Sequence, residues 1–344
     1  MAAETVRRSV VLRRRPSGAP DRSDFEIIED PIPTPHAHEV VTRTIWLSID
    51  PYMRGRLREQ QTYAKAIEIG EVMTGETVGE VIASADPGFA VGDVVVGARG
   101  WQSHVLGKAA QLTKVPRHDV AKGTPPISTY LGVLGMPGAT AYTGVIDILK
   151  PKAGETVVVS AASGAVGSVA GQLAKRKGAR VVGVAGGADK CLYVQDSLMF
   201  DDCVDHRAMD LRAELAAACP NGIDCYFENV GGAVQEAVFD LLNPFARVAM
   251  CGMVSQYNQD PFPPGPNLGF VVGKRVTIQG FIVSDKPERI AEWRALAAPW
   301  VAEGSLEYRE DEIDGLENAP DALGGILGGR NFGKLLVRVG PDPH

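Results

Sequence analysis

A glycine-rich turn is the part of the sequence whose residue types and spacing most directly indicate chemistry. The run Ser163-Gly164-Ala165-Val166-Gly167 follows the apolar stretch 155–160 and precedes apolar residues at helical spacing. A strand that stops, reverses and opens a helix exposes free N–H groups, and these groups attract phosphate. Gly164 then allows the tight turn, Gly167 the approach of a pyrophosphate, and Gly171 close packing of helix on strand. The turn predicts a dinucleotide site, and the alternative is a structural turn without a ligand.

The end of the next predicted strand, 179–184, indicates which dinucleotide is bound. An NAD site usually places Asp or Glu there for the ribose 2′-hydroxyl, but this chain has Ala185-Gly186-Gly187 and then Lys190. Small residues leave room for a 2′-phosphate, with which Lys190 can pair. A hydrogen bond to a charged group contributes about 1.5–3 kcal/mol, or about tenfold to a hundredfold in affinity. We interpret Asp189 as the cap of the following helix rather than as a ribose ligand. The sequence therefore predicts NADP(H).

The elements around the turn predict an α/β fold. Short apolar runs typical of buried parallel strands alternate with helical patterns, at 155–160, 179–184, 223–228, 247–251 and 276–281. We therefore predict a Rossmann-type, doubly wound parallel sheet. The first 130 residues instead read as short strands between Gly, Pro and Asp turns, which predicts a β-rich, partly open barrel. The predicted domains are 1–132 with 304–344, for substrate and catalysis, and 133–303, for NADP.

Composition and charge exclude several classes of protein. The chain has 344 residues and a net charge of −7, so the basic footprint of a nucleic-acid-binding protein is missing. No apolar run approaches the ~20 residues that a membrane span needs, so we expect neither a nucleic-acid nor a membrane partner. Between Arg7-Arg8 and Arg13-Arg14-Arg15, the only apolar run is Val10-Val11-Leu12. This run is too short for the apolar core of a signal peptide. We expect a cytoplasmic protein, with a transit peptide as the alternative.

The cysteines argue against a metal site. There are five, no two have C-x-x-C spacing, and the first is Cys191. Structural zinc needs close pairs of Cys or His, and a zinc alcohol dehydrogenase of this general build would need a Cys ligand in its first domain. We therefore predict no metal, and the odd count without a framework fits a reducing compartment.

The sequence resembles a known family. It is similar to the zinc-independent medium-chain dehydrogenase/reductases, whose first domain is a GroES-like barrel. Within them it most resembles the NADPH-dependent alkenal/one oxidoreductases, a group that includes prostaglandin/leukotriene reductases, plant double-bond reductases and bacterial curcumin reductase. The matching segments run in family order: Arg15-Pro-Ser-Gly-Ala-Pro20, Asp50-Pro-Tyr-Met-Arg54, Gly135-Met-Pro-Gly-Ala-Thr-Ala-Tyr142, Ala161-Ala-Ser-Gly-Ala-Val-Gly-Ser168, Glu228-Asn-Val-Gly-Gly232, Cys251-Gly-Met-Val-Ser-Gln-Tyr-Asn258, Gly280-Phe-Ile-Val283 and Gly328-Gly-Arg-Asn-Phe-Gly-Lys334.

The resemblance implies reduction of a C=C bond conjugated to an aldehyde or ketone. Hydride goes from NADPH to the β-carbon, and donors placed in advance stabilise the enolate oxygen. Tyr257 matches the family tyrosine beside the nicotinamide, and we assign it to polarising the carbonyl together with the cofactor's ribose hydroxyl. A packing role for this aromatic ring is the alternative. A quinone reductase and a non-catalytic NADP(H)-binding protein are the competing functions, and family membership also implies a homodimer.

The resemblance also assigns the remaining site residues. Tyr52 and Met136 are expected at the substrate. Many members have Tyr followed by Lys after the third strand, where the tyrosine touches the 2′-phosphate, but this chain has Asp205-His206-Arg207. His206 or Arg207 is the expected substitute, with a solvated loop as the alternative. The other expected cofactor contacts are Thr140, Gly164, Ala165, Val166, Gly167, Lys190, Asn229, Cys251, Ser255, Tyr257, Phe281, Val283 and Asn331.

Overall fold

The computed structural model describes residues 5–59 and 63–342. The chain divides into two compact units, one formed by Met1–Leu131 with Glu310–His344 and one by Gly132–Arg309. In chain order the strands are β1 (Val6–Leu12), β2 (Phe25–Pro31), β3 (Glu39–Ser48), β4 (Glu76–Ser84), β5 (Val94–Ala98), β6 (His104–Lys108), β7 (Thr113–Lys114), β8 (Thr156–Ser160), β9 (Arg180–Ala185), β10 (Asp202–Asp205), β11 (Ile223–Glu228), β12 (Leu242–Met250), β13 (Thr277–Gly280), β14 (Glu310–Asp314) and β15 (Lys334–Arg338). The helices are α1 (Met53–Arg56), α2 (Met136–Thr143), α3 (Gly167–Arg176), α4 (Ala188–Asp196), α5 (Leu211–Ala218), α6 (Gly232–Leu241), α7 (Gly269–Lys274), α8 (Glu288–Ala302) and α9 (Ala319–Leu327).

The first unit is rich in β-sheet. Its larger sheet has the strand order β14-β15-β3-β4-β5-β7, with β6 also paired to β3, and β1 and β2 form a separate antiparallel pair. Strand β3 is central to this unit because its apolar residues are buried. Leu47 on the strand and Ile49 just past its end pack with Met53 and Trp101 in one core cluster. The strand therefore leads directly into the Asp50–Arg54 segment from a rigid core.

The second unit contains a parallel sheet with the order β10-β9-β8-β11-β12-β13. Counted along the chain, this is the third, second, first, fourth, fifth and sixth strand of the unit, the order of a doubly wound nucleotide-binding fold. Every residue of β8 is buried, as expected of a central strand covered by helices on both faces. The predicted fold class is confirmed: a doubly wound parallel sheet and a separate sheet-rich unit.

The order of strands reverses between β8 and β11. Connections from these two strands leave towards opposite sides, and ligands of doubly wound folds bind at the carboxyl ends of the strands at such a point. The glycine turn follows β8 and therefore lies at this point. Among residues 5–59 and 63–342, none of the helices combines the length and apolarity needed to cross a bilayer.

Candidate active site

The glycine turn connects Ser160, the last residue of β8, to α3. The left-handed conformation in this turn is taken by Ala161 (φ 50°) rather than by a glycine, and the N–H of Gly164 donates to the Ala161 carbonyl at 3.0 Å. A Cβ on Gly167 would lie 2.3 Å from that same oxygen, so only glycine fits there. A Cβ on Gly171 would lie 1.7 Å from the ring of Phe200. Gly171 thus makes room for an aromatic ring, where the sequence had suggested room for the strand.

A buried carboxylate joins the carboxyl ends of β8 and β11. Glu228 accepts hydrogen bonds from the Ser160 hydroxyl at 3.0 Å and from the N–H groups of Val230 (2.7 Å) and Gly231 (3.0 Å). Burial raises the pKa of Glu228 above its ordinary value, although these hydrogen bonds lower it. Asn229 completes the junction, because its side-chain amide donates to the Ser160 carbonyl at 2.7 Å. The peptide turn at the switch point is therefore fixed from both strands.

The segment 251–257 is attached to this same turn. Its bonds run from the N–H groups of Cys251 (2.9 Å) and Gly252 (3.1 Å) to the Glu228 carbonyl, from Val254 N–H to the Asn229 carbonyl (3.1 Å), and from the Ser255 hydroxyl to the Val230 carbonyl (2.7 Å). Because β11 and β12 are parallel neighbours, the segment lies at the edge of the sheet that carries the glycine turn. The structure thus brings Cys251, Ser255 and Asn229 together.

Tyr257 ends a 3-10 turn over Val254–Gln256. Its hydroxyl oxygen accepts from the N–H of Met253 at 3.4 Å, and it lies 3.1 Å from the position of a Cβ on Gly252. The ring is half-buried. A phenol hydroxyl both donates and accepts hydrogen bonds, and donation is the property required of a group that polarises a carbonyl.

The end of β9 is organised by Asp205. Its carboxylate accepts from the N–H groups of Gly187 and Arg207, both at 3.0 Å. Gly187 has a φ of 97° and occupies the N-cap position of α4. Helix α4 therefore begins at Ala188, and Asp189 lies in its first turn. The interpretation of Asp189 as the cap was wrong, because the left-handed glycine starts the helix before it.

Two cationic side chains, Lys190 and Arg207, and the imidazole of His206 come together beside this strand end. A Cβ on Gly187 would lie 3.1 Å from the Arg207 guanidinium, and one on Gly186 would lie 2.7 Å from Nε2 of His206. Desolvation lowers the pKa of His206, the Asp205 charge raises it, and the positive charges of Arg207 and Lys190 lower it further. His206 and Arg207 therefore fill the space that the absent side chains of Gly186 and Gly187 leave, and Lys190 lies close enough for its charge to act on His206. A dianionic phosphate is the kind of ligand that such a cluster suits.

Four further candidate residues lie in the second unit. Met136 and Thr140 occupy successive turns of α2, and the Thr140 hydroxyl donates to the Met136 carbonyl at 2.8 Å. Phe281 and Val283 come directly after the carboxyl end of β13. The Phe281 ring meets the ring of Phe227, from β11, edge to face at 6.3 Å. This contact places Phe281 against the strand that leads into Asn229.

Tyr52 and Asn331 belong to the first unit. Tyr52 immediately precedes α1, and burial raises the pKa of its hydroxyl well above the ordinary value, so it stays a protonated donor at neutral pH. Asn331 lies in the loop before β15, where its side-chain amide donates to the Gly333 carbonyl at 2.7 Å. The carboxylate of Asp311 accepts from Gly333 N–H at 2.9 Å. Both residues are therefore held by ordered backbone.

Known proteins share this sequence and architecture. Residues 8–115 match the family described as the N-terminal domain of oxidoreductase, and residues 165–303 match the family described as zinc-binding dehydrogenase. The NADPH-dependent curcumin reductase of Escherichia coli (strain K12) is 48% identical over 338 residues, 96% of each chain. The 2-alkenal reductase (NADP(+)-dependent) of Nicotiana tabacum is 40% identical over 345 residues, 98% of this chain and 99% of the relative. The chain belongs to the zinc-independent, NADP-dependent medium-chain dehydrogenase/reductases.

A solved structure of the same medium-chain group supports this assignment. CurA from Vibrio vulnificus, crystallised in complex with NADPH, superposes with a TM-score of 0.91 at 45% identity, covering 97% of this chain and 100% of that chain. In the part of the present chain that the structure describes, no group of three or more His, Cys, Asp or Glu side chains is arranged to hold a metal ion.

Two site residues of this medium-chain reductase were missed by sequence reasoning. Ser160 was treated only as part of a strand and Asp205 only as the residue before His206, yet each accepts a hydrogen bond that fixes a loop at the site. A polar residue at the end of a buried strand is the signal that could have found them.

Cys251 was expected as a cofactor contact. Burial raises the pKa of its thiol to about 12, so it is not a thiolate nucleophile at neutral pH.

Proposed function

We propose that this chain uses NADPH to reduce the C=C bond of α,β-unsaturated aldehydes and ketones. The observation that carries the proposal is the placement of the Tyr257 segment, the glycine turn and the Lys190 cluster at the ends of neighbouring strands in one sheet. The names of the curcumin reductase and the 2-alkenal reductase agree with this chemistry. We propose residues 133–303 as the NADP-binding domain, and 1–132 with 304–344 as the substrate domain.

The residues present fit NADPH. Lys190 and Arg207 supply the charge that a 2′-phosphate requires, and His206 can add a hydrogen bond. At Gly167 the start of α3 lies so close to the turn that any side chain would collide with it. Exposed N–H groups at a helix start bind a pyrophosphate. When bound, NADPH supplies the hydride that reaches the β-carbon of the substrate.

The chain's own residues then handle the charge that develops on the carbonyl oxygen. The Tyr257 hydroxyl donates a hydrogen bond to this oxygen, which stabilises the enolate more than the ground-state carbonyl. Tyr52, whose raised pKa keeps it protonated, is a second neutral donor assigned to the substrate. Met136, beside Thr140 on α2, gives the substrate an apolar, adaptable contact.

One assay tests the proposal. The purified protein is mixed with NADPH and offered 2-alkenals, enones and quinones in parallel, with loss of nicotinamide absorbance as the measurement. We expect turnover with alkenals and enones. Turnover with quinones alone would instead indicate a quinone reductase, and binding of NADPH without turnover would indicate a non-catalytic protein.

Tyr257→Phe tests the role of the hydroxyl. Removing one donor from a site that stabilises an oxyanion lowers kcat about a hundredfold or more, so we expect a loss of this order with NADPH affinity nearly unchanged. Tyr193→Phe on α4 is the matched control, because it removes a hydroxyl from the same unit outside the assigned site. An equal loss of turnover and NADPH affinity in Tyr257→Phe would mean that the residue has only a structural role.

We also propose that the protein is a cytoplasmic homodimer. The location depends on the sequence argument alone. The dimer is supported by β13, which stands at the end of the parallel sheet and exposes most of its residues. Val272 in the neighbouring helix α7 is 81% exposed. An exposed strand edge beside apolar residues is a surface that a second copy can cover by continuing the sheet.

A further inference from the structure

A buried ion pair connects two strands of the first unit. Nζ of Lys334, the first residue of β15, lies 2.9 Å from the Asp50 carboxylate and donates to the Ile49 carbonyl at 2.9 Å. The side chains are 4% and 8% exposed. β15 pairs with β3 in antiparallel register, Leu336 opposite Ser48, so Lys334 lies opposite Asp50 where this pairing ends. The pair is therefore part of the sheet's own geometry.

The ion pair lies at the start of one segment of the proposed site and at the end of another. Tyr52 follows Asp50 by two residues, and Asn331 precedes Lys334 by three. Each segment also has anchors of its own. The Ser48 hydroxyl bonds the second carboxylate oxygen of Asp50, and the loop before Lys334 is tied to Asp311. Beyond the backbone bond from Ile49 N–H to the Leu335 carbonyl at 3.2 Å, the Lys334 ammonium joins the segment that contains Tyr52 to the loop that contains Asn331 through side-chain contacts.

Stability alone does not account for an ion pair at this position. Desolvating two charges is costly, and well-packed apolar residues often replace a buried pair without loss of stability. What an apolar pair lacks is direction, because an ammonium and a carboxylate fix the positions of their backbones through hydrogen bonds of defined geometry. A pair that joins two site segments is therefore suited to setting their relative position.

We infer that Asp50 and Lys334 are positioning residues that hold Tyr52 and Asn331 in one fixed arrangement, so that a single contact governs the binding of both enone and NADPH. The inference rests on the proposed function, because it takes Tyr52 as a substrate residue and Asn331 as a cofactor residue. Neither Asp50 nor Lys334 needs to touch a ligand. The inference has a distinctive consequence: loss of the Asp50–Lys334 ion pair weakens the binding of both ligands, the enone and NADPH.

The test compares full-length variants by NADPH fluorescence titration and steady-state kinetics. For Asp50→Asn and for Lys334→Met we expect the NADPH Kd and the enone KM to rise together, by about tenfold each, because small misplacements of positioned groups have large effects. Asn331→Ala is expected to change the NADPH Kd alone, and Tyr52→Phe the enone KM alone. The double variant, Asp50→Asn with Lys334→Met, is expected to lose no more than either single variant.

Asp314→Asn is the matched control. It removes an ion pair between β14 and β15, the 2.6 Å contact of Asp314 with Arg338, whose side chains are 74% and 43% exposed. We expect neither ligand constant to change. If Asp50→Asn or Lys334→Met changed only one of the two constants, or if losses in the double variant were additive, the inference would be wrong.

A measurement without ligands separates this inference from the proposed function. Hydrogen exchange of 50–54 and 328–334 is expected to accelerate in both segments whichever partner is removed. Should the wild-type protein fail to reduce enones, the proposed function fails, but the exchange result still decides the positioning role. Acceleration confined to the mutated segment would overturn it. Where the two single variants do not fold, Ser48→Ala removes only the bond to Asp50, and the same coupled pattern is expected at smaller size.

Discussion

Glu310 is a buried carboxylic acid on the other side of Lys334. It pairs with Lys334 in the parallel ladder of β14 and β15, and within the described chain its Oε1 has no hydrogen-bond partner. Burial and, to a smaller extent, the charge of Glu312 raise the pKa of Glu310 to about 7, although a hydrogen bond from Ser128 and the charge of Lys334 lower it. The acid therefore titrates at neutral pH inside the sheet-rich unit.

The substitution Glu310→Gln removes this titration and keeps the side chain's size. The folded-state pKa lies above the ordinary value of 4.5, so between these two values the native protein holds a proton that the unfolded chain has released. Stability consequently falls as pH rises through this window. At about 1.4 kcal/mol per pH unit, the ionised carboxylate destabilises the fold by about 3 kcal/mol above the window. Glutamine does not ionise, so the variant escapes this loss.

Thermal unfolding of wild type and variant measures the effect. At about pH 5 the two proteins should unfold at similar temperatures, and at about pH 8 Glu310→Gln should be more stable by up to about 3 kcal/mol. This corresponds to about 2–4 °C for each kcal/mol in a protein unit of roughly this size. Glu307→Gln, at an exposed position three residues before β14, is the control and should show no such divergence. A difference between wild type and Glu310→Gln that stays constant across this pH range would refute the reasoning.

Two further substitutions test the second unit. Lys190→Ala should raise the NADPH Kd by about tenfold to a hundredfold and change the NADH Kd little. Fluorescence titration measures both constants, with Lys177→Ala as the control. An unchanged ratio of the two constants would contradict the role of Lys190. Gly171→Ala places a methyl group 1.7 Å from the Phe200 ring, so it should destabilise the fold by about 1–3 kcal/mol in thermal unfolding. Adding Phe200→Leu should recover part of that loss, and no recovery would mean that the collision is relieved elsewhere.

The sequence predicted the second unit well because its signals are local. The apolar run of β8, the glycine turn and the helical spacing of α3 are adjacent along the chain, and adjacency confirms the motif. Repetition of the same unit then predicted a doubly wound sheet. Lys190 was predicted as a cofactor contact in the same way, by its position after a strand that ends in Ala185 and two glycines.

The contacts that hold the candidate site together could not be found in this way. Lys334 and Asp50 are 284 positions apart, and Ser160 and Glu228 are 68 apart. Periodicity reports which face of an element is buried, but it does not report which distant polar group meets another in the core. These pairings depend on strand order, which the sequence predicted only in outline.

The loop after β10 gives a further example, because the sequence does not report which polar groups meet there and therefore which cofactor the loop favours. An Asp or Glu at the end of the second strand is the usual sign of NAD, and here an acid, Asp205, stands at the end of the neighbouring strand β10. Desolvation raises its pKa, but the N–H groups of Arg207 and Gly187 more than offset this and hold the pKa below its ordinary value. Those two N–H groups occupy the carboxylate, which is therefore committed to the loop. The positive charges of Lys190 and Arg207 then outnumber it beside the strand end, so Asp205 is compatible with the proposed NADP(H) site because it holds the loop that carries Arg207.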